Sequence, residues 1–332
     1  MTGSDLLPVA VTSGDPSGIG PEIIVAAWAT LRDELPFFMI GDSRHVPAGT
    51  RTVVIDAPAD APAAMAGGLP VLQHAFPKPA RPGHPDPENA ARVVEAIQRA
   101  VELVGQGAAS ALCTAPVSKR ELVSHAGFAF PGQTEFLAHL AGGGQPVMML
   151  ASAELKAVPV TTHIPISEVP RALNAELLET TIRITDRALR EDFGLPEPRR
   201  IAVAGLNPHA GEDGILGNED ATVIAPVCDR LRAEGMSISG PHSADTMFHA
   251  SARAGYDAAI MMYHDQALIP IKTLAFEDGV NATLGLPFVR TSPDHGTAFD
   301  IAGSGKASPA SMIAALRLAR KIAASRLANK CK

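Results

Sequence analysis

Apolar positions fall into two patterns along the chain: short unbroken runs, and longer stretches where they recur every three to four residues. The runs VAVTSG from Val9, FFMIGD (37–42), SALCTA (110–115), VMMLAS (147–152), AVPVTT (157–162), IAVAGL (201–206) and AAIMMY (258–263) predict short buried strands, continuous rather than alternating and with turn residues close by. The clearest helical stretch is PENAARVVEAIQRAVELVGQG, where Val93, Val94, Ile97, Val101 and Val104 share one face and Gly105 or Gly107 supplies a stop. Further helices are predicted to start near Pro21, Ala175 and Asn218, and ASPASMIAALRLARKIAASRL forms a last one. Alternation of this kind implies a mostly parallel sheet covered by helices. The Pro- and Gly-rich stretches at 57–70 and 75–87 read as surface connections, so residues 1–332 are read as a single catalytic unit.

Composition narrows the classes. A chain of 332 residues with 46% hydrophobic and 19% charged residues has the balance of a globular protein with a sizeable core. Net charge is −7 with no basic block, which argues against a nucleic-acid partner and requires any anion site to be built locally. Cys113, Cys228 and Cys331 are odd in number and scattered, so neither a disulfide framework nor a thiolate zinc site is expected. The N-terminal residues lack the charge and apolar pattern of a signal peptide, and no apolar run is long enough for a membrane span. The expected compartment is the cytoplasm, the expected ligand a small molecule.

Three histidines each follow a strand-like run: His163 after VPVTT, His209 after IAVAGLNP and His264 after AAIMMY. Ligands of open α/β sheets bind outside the carboxyl ends of the strands, so these imidazoles are candidates to converge on one divalent metal. The other reading is three ordinary loop or core histidines. Lys272, Asn281 and Arg290 offer two cations and an amide to a phosphate, against the alternative of solvated surface cations. Asp245 and Asp265 are candidates to neutralise a metal, orient an imidazole or act as a base, and Asp265 equally suits a turn cap. The opening GDPSGIGPE places glycines at 14, 18 and 20, which fits neither the dinucleotide fingerprint nor a P-loop. It reads either as an anion cradle or as a tight turn and helix start.

GDPSGIGPE, TAPVSK, TEF, TTHIPI, GLNPHAGE, GPHSADTMF, YHDQ, GVNATLGLPFVRTSPDHGTA and IAGSGKA together resemble the 4-hydroxythreonine-4-phosphate dehydrogenase family of vitamin B6 biosynthesis, from about residue 8 to about 320. The resemblance implies an isocitrate/isopropylmalate dehydrogenase-like α/β fold with two lobes around a central cleft, approximately 1–140 plus 300–332 and 141–299. It implies NAD or NADP, one divalent metal ion (zinc, magnesium or cobalt), and a homodimer whose active site is shared. His163, His209 and His264 fall on the family's metal-ligand positions, with one ligand crossing from the partner subunit; His264 and Lys272 are expected to complete the partner's cleft. Thr134, Lys272, Asn281 and Arg290 fall on substrate-binding positions, and Gln133 stands where the family has histidine in G-H-T-E-F. The implied reaction oxidises 4-phosphooxy-L-threonine to a β-keto acid that decarboxylates to 3-amino-2-oxopropyl phosphate, with Asp245 and Lys119 as candidate proton acceptors. Gln133 keeps open a phosphorylated four-carbon hydroxy acid, such as 4-phospho-D-threonate or erythronate, or a cis-dihydrodiol as substrate. A phosphate acyltransferase of the same fold is a further alternative, which would need neither the histidines nor nicotinamide.

Overall fold

The structure, a computed structural model, describes residues 6–330. Twelve strands lie among them: β1 (Val9–Thr12), β2 (Phe37–Gly41), β3 (Thr52–Ile55), β4 (Leu69–Gln73), β5 (Ala111–Thr114), β6 (Val147–Ala151), β7 (Lys156–Pro159), β8 (Ile201–Ala204), β9 (Ile238–His242), β10 (Ala258–Met261), β11 (Val280–Leu284) and β12 (Arg290–Pro293). The chain divides into two compact units, one holding residues up to Pro146 with Leu286–Leu327, the other holding Val147–Gly285.

In the first unit the strand order is β3-β4-β2-β1-β5-β12, and every neighbouring pair is parallel. The helix Ala90–Gly105 buries Val93, Ala96, Ile97, Ala100 and Val101, while Val94 and Val104 sit half-buried at the edge of that face. Alanines in the stripe let the helix approach the sheet closely. The residue that stops it is Gly107 rather than Gly105: Gly107 takes φ +72°, its N–H donates to the Val104 carbonyl, and the Ala108 N–H reaches back to Leu103.

In the second unit the order is β11-β6-β7-β10-β8-β9. β6 runs antiparallel to both its neighbours, whereas β7, β10, β8 and β9 are mutually parallel. The helix Ala175–Glu191 starts on Asn174, whose side chain caps the Leu177 N–H at 2.9 Å.

Five strands escape a reading based on apolar runs. β3 is short and mostly half-exposed, β4 carries Pro70, and β9 carries Gly240 and Pro241. β12 reads Arg-Thr-Ser-Pro yet is buried throughout, with Thr291 Oγ1 donating to the Ala315 carbonyl at 2.9 Å. The stretch 57–70 is more than a connection, holding the helix Ala61–Ala64 and the start of β4. Cys113 and Cys228 are buried, and burial pushes their thiols up to about 12 and about 11, so both are packing residues. Cys331 lies outside the described residues.

Candidate metal centre and anion site

Four parallel neighbours, β7, β10, β8 and β9, end at the same edge of the second unit. The segment leaving β7 carries His163, the one leaving β10 carries His264, the one leaving β8 carries His209, and the one leaving β9 carries Asp245. Neighbouring strands lie about 4.8 Å apart, so four segments distant in sequence become adjacent in space. Side chains tie their roots together. Thr161 Oγ1 donates to the Met262 carbonyl at 2.7 Å, joining the exits of β7 and β10. Gln266 accepts from the Met262 N–H at 2.6 Å and donates to the Gly205 carbonyl at 2.9 Å, joining β10 to β8.

Two of the histidines stand on unusual backbone. His163 has φ +55°, and residues His209, Ala210, Gly211, Glu212 and Asp213 form a left-handed turn with φ between +42° and +84°. Left-handed backbone costs roughly 1–2 kcal/mol for each residue with a side chain, so something must hold this turn. Asp220 does so. It is 2% exposed; its carboxylate accepts from the Leu206 N–H at 2.8 Å, the Asn207 N–H at 3.1 Å and Asn207 Nδ2 at 2.9 Å. Gly205 allows the approach, since a Cβ there would lie 2.6 Å from Asp220 Oδ1.

Within one chain the His163 and His264 ring centroids are 5.6 Å apart. Two imidazoles ligating one tetrahedral cation at about 2.1 Å place their centroids about 5 Å apart, so this pair is close to ligating geometry. His264 Nδ1 lies 2.7 Å from Asp265 Oδ1, which leaves Nε2 available to a cation and gives the ring a carboxylate partner. A cavity of about 240 Å³ opens on these rings, lined also by Thr161, Thr162 and Tyr263. Among the described residues no group of three or more His, Cys, Asp or Glu side chains is closed around one point. His163 and His264 thus approach each other within one chain, and His209 stands on the adjacent strand exit.

His264 opens the helix His264–Leu274, and Leu268 and Lys272 follow it at helical spacing along a groove of about 420 Å³. Asn281 lies on β11 opposite Leu150, its Oδ1 buried with no hydrogen-bond partner. Asp245 is exposed, its carboxylate accepting from Ser243 Oγ.

The remaining candidates lie in the first unit. Arg290, 4% exposed on β12, donates through Nη2 to Thr114 Oγ1 at 2.8 Å and to Gln133 Oε1 at 2.9 Å; Thr114 Oγ1 also donates to Gln133 Oε1 at 3.1 Å. Burial pushes the guanidinium down to about 10, which leaves it charged at neutral pH. Gln133 thus acts first on Arg290, as an acceptor whose hydrogen bonding does not titrate. Thr134 follows it in the first turn of the helix Gln133–Leu140, and Lys119 is exposed at the start of the helix Lys119–His125.

GDPSGIGPE is a packing knot. The N–H of Asp15 donates to the Pro116 carbonyl, Ser17 to the Asp15 carboxylate, Gly18 to the Asp15 carbonyl and Ile19 to the Thr297 carbonyl, which leaves those amides no capacity for a phosphate. A Cβ at Gly14 would sit 2.3 Å from the Pro116 oxygen, and one at Gly20 2.4 Å from the Ser13 oxygen. Asp15 is itself 7% exposed, and burial, with Glu121 adding to it, pushes its carboxyl up to about 6 from 3.8. Below about pH 4 the group is neutral folded or unfolded; as pH rises toward 6 only the unfolded chain gains by ionising, so stability falls through that window. The loss is about 3 kcal/mol above it. Asp15→Asn keeps an acceptor for Ser17 and is expected to raise the melting temperature at pH 7.5 but not at pH 4. A gain of equal size at both pH values, measured by calorimetry, would contradict this account.

A profile of the family described as "Pyridoxal phosphate biosynthetic protein PdxA" matches residues 32–319. The chain is 58% identical to a 4-hydroxythreonine-4-phosphate dehydrogenase of Paracoccus denitrificans over 96% of this chain and 98% of that one. Among solved structures, the enzyme of that name from Klebsiella pneumoniae superposes with a TM-score of 0.85 at 41% identity, covering 96% of this chain and 98% of its own. A putative one from Salmonella typhimurium also gives 0.85, at 38% identity, covering 96% of this chain and 100% of its own. A match of this extent leaves one assignment: the chain belongs to the PdxA family of pyridoxal phosphate biosynthetic proteins.

Proposed function

We propose that the chain oxidises 4-hydroxythreonine 4-phosphate with NAD or NADP and a divalent metal, and that the resulting β-keto acid loses carbon dioxide to leave 3-amino-2-oxopropyl phosphate. The observation that carries this reading is the row of histidines on adjacent parallel strand exits, with His163 and His264 already 5.6 Å apart. Neutral imidazoles fit a zinc- or cobalt-like cation better than magnesium, which prefers oxygen ligands, and they preserve the cation's double charge. When bound, such a cation would lower the pKa of the substrate hydroxyl and draw electrons toward the developing carbonyl.

The chain's own groups do the rest. Asp245, at the exit of β9 beside that of β8, would accept the proton of the substrate hydroxyl, and a bound nicotinamide would supply the hydride acceptor; Asp245 is preferred to Lys119 because it shares a strand edge with the histidines. Arg290 and Lys272 supply positive charge for the phosphate, Arg290 through a guanidinium held by Thr114 and Gln133. Asn281 brings an amide with unused acceptor capacity. Thr134 and Gln133 open a helix whose first-turn N–H groups suit an anion. In the first unit a cavity of about 810 Å³, lined by Glu22, Ala26, Arg44, His45, Gly303 and Gly305, is within the range of about 300–1,000 Å³ for small-molecule sites and is assigned to the dinucleotide. Glu22 Oε2, buried with no hydrogen-bond partner, is the acceptor there with capacity for a ribose hydroxyl. A homodimer is supported by Ile269, 64% exposed, and Phe276, 80% exposed, on and just after the helix of His264 and Lys272.

The test is reduced-nicotinamide formation with 4-hydroxythreonine 4-phosphate, phosphorylated threonate and erythronate, and cis-dihydrodiols, each with NAD and NADP. The expected result is fastest turnover of the first, with one carbon dioxide released per nicotinamide reduced. Faster turnover of another member would transfer the assignment to that substrate.

A further inference from the structure

We infer that Asp220 is a positioning residue for the metal centre, acting through the turn that carries His209. This rests on the metal reading above and adds a residue to it that touches neither metal nor substrate. The carboxylate is 2% exposed and binds three N–H groups of Leu206 and Asn207, the residues between β8 and the turn. A second acid closes the bracket from outside: Glu219 Oε2 accepts from Asn207 Nδ2 at 2.8 Å, and the Asn207 hydrogen bond holds the Glu219 carboxyl below its ordinary range. The chain around Asp220 is shaped for this contact. Gly205 and Gly211 both face the Asp220 side chain, where a Cβ would lie 2.6 Å and 3.3 Å from it, and a Cβ on Gly217 would meet the Asn207 amide at 2.4 Å. Asp220 itself begins a single π-helical turn, Asp220–Ile224, ahead of the helix Ala225–Ala233. Widened turns of this kind commonly aim a side chain at functional sites.

What Asp220 restrains is a turn that would not keep its shape unaided. His209, Ala210, Glu212 and Asp213 all have side chains and all take left-handed backbone. Such residues relax to right-handed or extended backbone unless surrounding contacts over-determine them. Relaxation would swing the His209 imidazole away from the strand edge shared with His163 and His264. In this way Asp220 sets how well His209 is pre-positioned, as outer groups around metal sites do for directly ligating side chains.

The experiment is cobalt(II) binding to the purified full chain, followed by the visible absorption of the bound ion and by competition with a chromophoric chelator, with no turnover required. Asp220→Asn, which sets an NH₂ against N–H donors, is expected to weaken cobalt binding by about 10–100-fold and to alter the visible spectrum. Glu212→Gly added to Asp220→Asn removes one strained side chain and is expected to recover part of the loss, a rescue that general destabilisation would not give. Should Asp220→Asn not fold, Asn207→Ala removes one arm of the bracket from the less buried side and is expected to weaken binding in the same direction. Wild-type protein and His209→Ala are run alongside. Tight wild-type binding lost in His209→Ala but unchanged in Asp220→Asn or Asn207→Ala overturns this inference and leaves the metal reading intact; no stoichiometric wild-type binding overturns both.

Discussion

His209→Ala is expected to lower turnover roughly a thousandfold or more while leaving the melting temperature nearly unchanged. His209 is exposed, so its imidazole contributes little to the core, and alanine keeps the same backbone requirement at φ +52°. Turnover has a different dependence. A ligated cation contributes several kcal/mol of charge stabilisation, and about 4 kcal/mol corresponds to three powers of ten in rate. The same outcome is expected for His163→Ala, which is also exposed, and for chelation of the native enzyme with activity restored by added metal. Initial rates from reduced-nicotinamide absorbance, set beside calorimetric melting curves, read both quantities. Near-parental turnover in a well-folded His209→Ala protein would remove His209 from the centre and leave His163 and His264 as the ligands this chain supplies.

Those three histidines were legible because each ends an apolar run, and strand ends are where an open α/β sheet binds its ligands. Their adjacency was not. It depends on the order β7-β10-β8-β9, in which the strand latest in sequence sits between two earlier ones, and no local pattern encodes that order. The residues that hold the edge together were invisible for a related reason. Thr161, Gln266 and Asp220 act by hydrogen bonds to backbone groups brought near by the fold, so their types carry no signal in isolation. Gln133 stood out as a departure from a motif, but its role appears only beside Arg290, 157 residues away in the chain. The seven strands read from continuous apolar runs contrast with β12, whose buried polar residues find their partners at Ala315 and Thr114. The glycines of GDPSGIGPE left two readings open until the partners of their neighbouring amides were known. Those amides are occupied by Pro116, Asp15 and Thr297, which decides for a turn.

Two subunit-mixing experiments are expected to give opposite outcomes. If the His163 and His264 that lie together in one chain ligate the same ion, mixing His163→Ala protein with His264→Ala protein should restore nothing: each subunit brings a broken pair. Lys272 differs. It lies eight residues beyond His264 on the same helix, about 12 Å along the axis at 1.5 Å per residue, a long reach for a four-carbon phosphate ester held at the histidines. The exposed Ile269 and Phe276 near it mark a face suited to a second copy of the chain. If two copies pair through that face, Lys272 serves the site of the partner. In a heterodimer of Lys272→Ala and His209→Ala subunits, one site carries both defects and the other carries neither. Random reassortment makes half the dimers mixed, so about a quarter of all sites recover in a two-fold symmetric dimer. The measurement is specific activity after mild dissociation and reassociation, with exchange verified by tagged subunits. Recovery in the Lys272/His209 mixture alone supports a site shared between subunits with its histidine pair made in one chain. Recovery in the His163/His264 mixture would instead place those two ligands of one site on different subunits, against the 5.6 Å approach seen here.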